Sequence, residues 1–259
     1  MNSDDMDQAP GLFDWHADEL AALPPVRLPG VRELAADARR SRALTSAAEY
    51  ARGAEHLGYE PDDLPPSGLA TEEYSVFWLA ANVGFLEVVD GFFALEPAFA
   101  WPGVPDARAV EMWAEGMYGV IVENVTDQLQ IDLLDELLDQ DDDDEHALPN
   151  FNDAFHGLVP TLLVALLREP DGMPVSELRW AAVEKTGQPS WNAVVARQGD
   201  PLAPILRLLV DYGAAVVENS TGHGTGNSGE NSMVRLTPLG LYGTVFHIRQ
   251  DGLTVRVAD

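Results

Sequence analysis

The 259-residue chain has no cysteine, which excludes disulfide bridges, thiolate metal ligands and thiol nucleophiles and suits a cytosolic protein. Lysine is almost missing too: Lys185 is the sole lysine among 15 basic residues, and the rest are arginine. With the many alanines and glycines, that bias suits a GC-rich bacterial genome. No apolar run reaches the roughly 20 residues that a membrane-spanning helix needs. Met1 to Pro10 is acidic and polar, so no signal peptide is expected. Positive charge is the largest deficit. The acids number 43 and the net charge is −28, and between residues 61 and 150 there are 21 acids and a single base, Arg108. Such a surface repels duplex DNA unless a basic patch stands well away from it, because affinity depends on neutralising phosphates.

Catalytic signatures are also missing. The six histidines, His16, His56, His146, His156, His223 and His247, form no i, i+4 metal pair and no His-Glu-x-x-His. There is no Gly-x-Ser-x-Gly elbow. Glu72 and Glu73 are adjacent, so on a helix they point apart and cannot work as an acid–base couple. No enzyme activity, catalytic residue, metal site or cofactor is expected.

What is present is a foldable chain, 46% apolar with aromatics spread along it, long enough for about one or two domains. Its most informative stretch is Pro201 to Val257. Leu202, Ile205, Leu206, Leu208 and Leu209 give Pro201 to Tyr212 the apolar side of a helix, and Gly213 stands where a helix-ending glycine belongs. Ala214 to Glu218 and Met233 to Leu236 read as strands around a loop rich in Gly, Ser and Asn. Thr237 then reads as an N-cap with Pro238 in the first helical position.

A similar order occurs earlier. Thr71 caps a helix to Asn82, Gly84 ends it, and Phe85 to Val89 and Phe92 to Leu95 flank Asp90-Gly91, a strong two-residue hairpin signal. Upstream, Val31 to Leu57 reads as one or two helices. Its basic residues, Arg39, Arg40, Arg42 and Arg52, are expected to pair with nearby carboxylates. Downstream, helices are expected over 106–122, 126–140, 150–168 and 191–197, and from a Ser176 cap to Thr186. In the 126–140 segment Leu129, Leu133, Leu134, Leu137 and Leu138 share one side, and Asp127, Asp132, Asp135, Glu136 and Asp139 the other. Asp141 to Glu145 continues the acid as a linker. It lacks the alternation and the glycine of a calcium loop. Gly222 to Gly229 lies between strands with no Gly-Lys-Ser/Thr after it, so it reads as a loop tip and not a phosphate cradle.

The second half, over about residues 153–252, resembles the winged-helix regulators of the MarR and PadR type. The likeness rests on Leu208-Leu209-Val210-Asp211-Tyr212-Gly213-Ala214-Ala215-Val216-Val217 and on Val234-Arg235-Leu236-Thr237-Pro238-Leu239-Gly240. It implies DNA binding through the helix before the wing. Here that helix carries Pro201, Pro204 and Asp211 beside one base, Arg207, whereas groove-reading helices present Arg, Lys, Asn, Gln, Ser or Thr.

The expected fold is mostly α with small β-hairpins (α+β), with a C-terminal winged helix-turn-helix and a second winged-helix-like unit before it. The expected divisions are an acidic, partly disordered arm over 1–29, a helical domain over 30–125, an acidic helix and linker over 126–149 and the winged-helix domain over 150–259. The expected function is a non-catalytic regulator or adaptor, cytoplasmic, that contacts a protein partner, in one version basic and in another a second copy of itself. Its partner-binding residues would be Leu129, Leu133, Asp135, Leu137, Asp139 and Asp142. One alternative is a DNA-binding regulator using Arg179, Lys185, Arg197, Arg207 and Arg235. Another is an acidic DNA mimic.

Overall fold

The structure is a computed structural model that describes residue 13 and residues 16–54, 71–90, 92–96, 100–120, 157–218 and 232–258; within these, the side chains of 71–75, 88, 193, 197 and 198 are left out. It is mostly helical with small antiparallel sheets, an α+β arrangement. In chain order the first half holds α1 (Ala17–Ala22), α2 (Val31–Arg39), α3 (Arg42–Ala54), α4 (Thr71–Asn82), β1 (Leu86–Val89), β2 (Phe92–Leu95) and α5 (Asp106–Tyr118). The second half holds α6 (Leu158–Arg168), β3 (Met173–Pro174), α7 (Val175–Thr186), α8 (Gln188–Gln198), α9 (Leu202–Tyr212), β4 (Ala215–Glu218), β5 (Met233–Leu236) and α10 (Pro238–Gln250).

The two helix-to-strand passages expected around glycine share one geometry. At the end of α4, Gly84 N–H donates to Ala81 O and Phe85 N–H to Ala80 O; at the end of α9, Gly213 N–H donates to Val210 O and Ala214 N–H to Leu209 O. This paired pattern satisfies the orphan carbonyls of a helix end and needs a left-handed residue, here glycines at φ +72° and +85°. Beyond Gly84, β1 and β2 pair antiparallel with Val89 opposite Phe92, and Asp90 takes φ 54° in the turn, as a tight hairpin requires. Beyond Gly213, β4 and β5 form a hairpin, and the two-residue β3 pairs with the other edge of β5, giving the order β3-β5-β4.

Strand β3, two residues long, is too short to carry a period-two signal and was not expected. It also explains why α7 starts earlier than expected. Val175 N–H donates to Ser232 O at 2.9 Å, so Pro174 takes the N-cap position and Ser176 falls within the first turn. Residues 31–54 make two helices, and 188–198 make a helix longer than the short element expected over 191–197. Phe13 is fully buried and α1 buries Leu20, so this part of the expected N-terminal arm packs on the core. Val26 N–H and C=O bond to Arg256 O and Ala258 N–H, tying that stretch to residues near the other end of the chain. Residues 121–156, which include the expected 126–140 helix, and the 219–231 loop lie outside the described residues.

Thr237 shows why the Leu-Thr-Pro-Leu-Gly segment needs those residue types. Its hydroxyl accepts from Gly240 N–H at 3.0 Å, capping α10, and donates to Gly213 O at 2.7 Å, while its N–H donates to Ala214 O at 2.9 Å. The start of α10 therefore sits directly on the turn that ends α9. A Cβ on Gly240 would lie 1.9 Å from the Ala214 carbonyl oxygen, a backbone atom that cannot swing aside. Gly240→Ala is expected to cost at least about 1–3 kcal/mol through overpacking. Thr237→Ala should cost about 1 kcal/mol through loss of the cap, with Thr237→Ser near wild type. Urea unfolding of the three variants checks this ranking, and an unchanged Gly240→Ala midpoint would contradict it.

Candidate functional site

Three residues of the DNA-binding alternative, Arg179, Arg207 and Arg235, lie against carboxylates. Arg179 on α7 reaches Asp200 at 2.6 Å, and Asp200 also accepts Leu202 N–H, so one carboxylate holds Arg179 and starts α9. Arg207 on α9 pairs one turn along with Asp211 at 3.5 Å, both side chains well exposed. Arg235 on β5 pairs across the hairpin with Glu218 at 3.1 Å. Lys185 lies at the end of α7 beside Gly157, whose missing side chain leaves room for the lysine stem. Arg197 is in α8, with its side chain outside the described residues. Leu129, Leu133, Asp135, Leu137, Asp139 and Asp142 also lie outside them.

The outward side of α9 offers little for a groove. Leu202, Ile205, Leu206, Leu209 and Tyr212 are buried, and the exposed positions are Ala203, Pro204, Arg207, Val210 and Asp211. Only Arg207 could reach a phosphate, and its carboxylate neighbour opposes that.

Arg39, Arg40 and Arg52 of the first half bond to nearby carboxylates or backbone oxygens. Arg39 donates to Pro102 O and Val104 O and pairs with Asp106 at 2.7 Å, so it joins α2 to the start of α5. Arg40 pairs with Asp37. Arg52 donates to the backbone oxygens of Ala48 and Trp101. Among the described residues no group of three or more His, Asp and Glu could hold a metal ion, and no helix is long and apolar enough to cross a membrane.

Two clusters emerge that no linear spacing revealed. The first is a cleft of about 400 Å³ where the α2–α3 turn meets the α9–α10 junction; its lining includes Arg40, Arg42, Asp37 and Asp211 above Trp113 and Tyr212. The Trp113 and Tyr212 rings lie 5.0 Å apart, and Tyr212 donates to Trp113 O at 2.8 Å. Burial, then the charge of Glu115, pushes the Tyr212 hydroxyl well above its usual pKa, so it remains a donor.

The second is a hydroxyl–imidazole–carboxylate line: Thr161 Oγ1 is 3.1 Å from His16 Nε2, and His16 Nδ1 is 3.3 Å from Glu19. It is not arranged for nucleophilic attack. The Thr161 hydroxyl proton is directed to Gly157 O at 2.8 Å, and Glu19 is engaged by Arg168 at 2.5 Å. The line fastens α1 to α6. Comparison with protein-family models, with curated proteins and with solved structures returns no match for this chain.

His16 and His247 are both buried, and burial is the largest cause holding each below the usual 6.5. As pH falls through 6.5 the unfolded chain takes up protons that the folded chain refuses, so these groups make stability fall on acidification. The limit is about 1.4 kcal/mol per pH unit for each histidine. Chemical unfolding between about pH 7.5 and pH 5 should show a smaller acid-side loss in His247→Gln than in the wild type. Comparing the two cancels the change in whole-molecule repulsion, and parallel pH profiles would contradict the assignment.

Proposed function

We propose that the protein is a non-catalytic regulator or adaptor, built on a winged-helix unit in its second half, that acts through protein–protein contacts. The observation that carries this reading is the fate of its arginines. Arg179, Arg207 and Arg235, the cations a winged unit would turn to DNA, each lie against a carboxylate. An arginine must leave such a pair before it can displace counterions from a phosphate, which removes much of the sequence-independent part of DNA affinity. The winged reading is supported by the order helix, short strand, helices, hairpin, helix with strand order β3-β5-β4, and by the Thr237–Gly213 clamp.

The surface is also suited to protein. Trp180, Val195, Val210 and Val217, on α7, α8, α9 and β4, are exposed. Apolar side chains there favour a partner that removes them from water over a charged groove. The acidic amphipathic stretch with Leu129, Leu133, Asp135, Leu137, Asp139 and Asp142 is the second proposed contact element. Its motivation is the helical spacing of leucines opposite acids.

The test is an anisotropy titration of a labelled mixed-sequence duplex at low salt. The expected affinity is weaker than about 10⁻⁴ M, the feeble end of non-specific binding. Tight binding that collapses steeply as salt is added would overturn the reading.

A further inference from the structure

Trp180 is the most exposed of the large apolar side chains among the described residues, at 66%. It lies mid-helix on α7, away from the core face formed by Val175, Leu178 and Ala182. Three residues before it is Glu177 and four residues after it is Glu184, both exposed. Those spacings place both carboxylates on the same helix side as the indole, one on each side of it along the axis. Neither glutamate forms an ion pair among the described residues, whereas the arginine next to the indole, Arg179, is turned to Asp200.

An indole face flanked by two exposed carboxylates suits a cation. A guanidinium or ammonium over a Trp ring gains from the ring quadrupole, and carboxylates at its edges add Coulomb attraction and hydrogen-bond acceptors. The same arrangement disfavours other occupants. A second copy of the chain would bring the same two glutamates against these two, and a nucleic acid would bring phosphates against them. A purely apolar partner would leave both carboxylates facing it without a counter-charge.

We infer that the outward face of α7, with Trp180 as its anchor and Glu177 and Glu184 as its flanks, docks an arginine- or lysine-rich segment of a partner protein. This rests on the regulatory reading above and names the chemistry of one of its partners. The free chain has net charge −28, so a cationic segment is drawn toward it from a distance before the indole selects the site.

The probe is a fluorescently labelled oligo-arginine peptide, titrated with the full chain at fixed ionic strength. Diffuse attraction to an acidic protein is separated from docking by a charge-matched control. Trp180→Ala and Glu177→Gln/Glu184→Gln are compared with Asp18→Asn/Glu33→Gln, which neutralises two exposed acids on α1 and α2. The two α7 variants are expected to weaken binding by about tenfold, the effect of removing a cation–π contact or its flanking charges. Trp180→Phe should keep part of the affinity, and the control should match the wild type. All four changes are at exposed positions, and matching unfolding midpoints verify that each variant is folded. Equal weakening by the control, or no binding by the wild type, overturns the proposal. Neither outcome bears on the duplex titration, so failure here and failure of the regulatory reading are told apart.

Discussion

Helix α5 is the member on which the rest of the molecule depends, and what lets it serve is the closeness of its packing. Gly116 leaves space that Leu79 and Val83 of the α4 region and Tyr212 of α9 fill; a Cβ there would sit 2.5 Å from both Leu79 and the Tyr212 hydroxyl. On α10, Gly243 lets Met117 and Trp113 approach in the same way. Two side chains of the second half then bond to successive backbone oxygens of α5: Tyr212 to Trp113 and His247 to Ala114, at 2.8 and 2.7 Å. Small residues at a crossing admit close approach, and close approach is what brings a phenol and an imidazole within reach of a helix backbone. Trp113, wholly buried, packs its ring against that of Tyr212 at 5.0 Å. The buried residues of both halves consequently join in one hydrophobic cluster.

That packing limits what the second half can do. Helix α10 is bound to α5 on one side and, through Thr237, to the end of α9 on another. Among the described residues, α7, α8, α9 and the β4–β5 hairpin present exposed side chains. There Arg179, Arg207 and Arg235 are drawn to Asp200, Asp211 and Glu218. An exposed pair of this kind adds little to stability, on the order of 1 kcal/mol or less. Its consequence for binding is larger, because a paired arginine presents phosphate with a carboxylate as well as a guanidinium. The proposed preference for protein over DNA follows from this local arrangement, and the overall −28 acts in the same direction.

The parts of this architecture that were legible in the sequence are those set by local chemistry. Gly84, Gly213, Asp90 and the Thr237-Pro238 cap each have a backbone requirement that few residue types meet, so they announced the ends of helices and the first hairpin. The leucine spacing of α9 announced its buried side. The parts that stayed hidden depend on long-range meetings. Strand β3 exists because Met233 and Val234 offer it partners some sixty positions away, and two residues carry no periodicity of their own. The roles of Gly116, Gly240 and Gly243 are invisible until the atoms they make room for are known. Trp180 gave no signal either, because hydrophobicity alone does not say which side of a short helix faces water. The arginine pairs were partly readable, since Arg207 and Asp211 have helical spacing, but Arg179–Asp200 and Arg235–Glu218 required the fold.

The proposed function stands or falls on whether those carboxylates keep the face formed by α9 and the β4–β5 hairpin from DNA. The most direct measurement is duplex affinity against salt concentration for Asp211→Asn/Glu218→Gln beside the wild type, since it frees Arg207 and Arg235 without touching the core. The account predicts that the variant acquires salt-sensitive duplex binding, with a slope corresponding to about one or two released counterions, that the wild type lacks. A variant indistinguishable from the wild type, or a wild type already showing a steep slope, would contradict it.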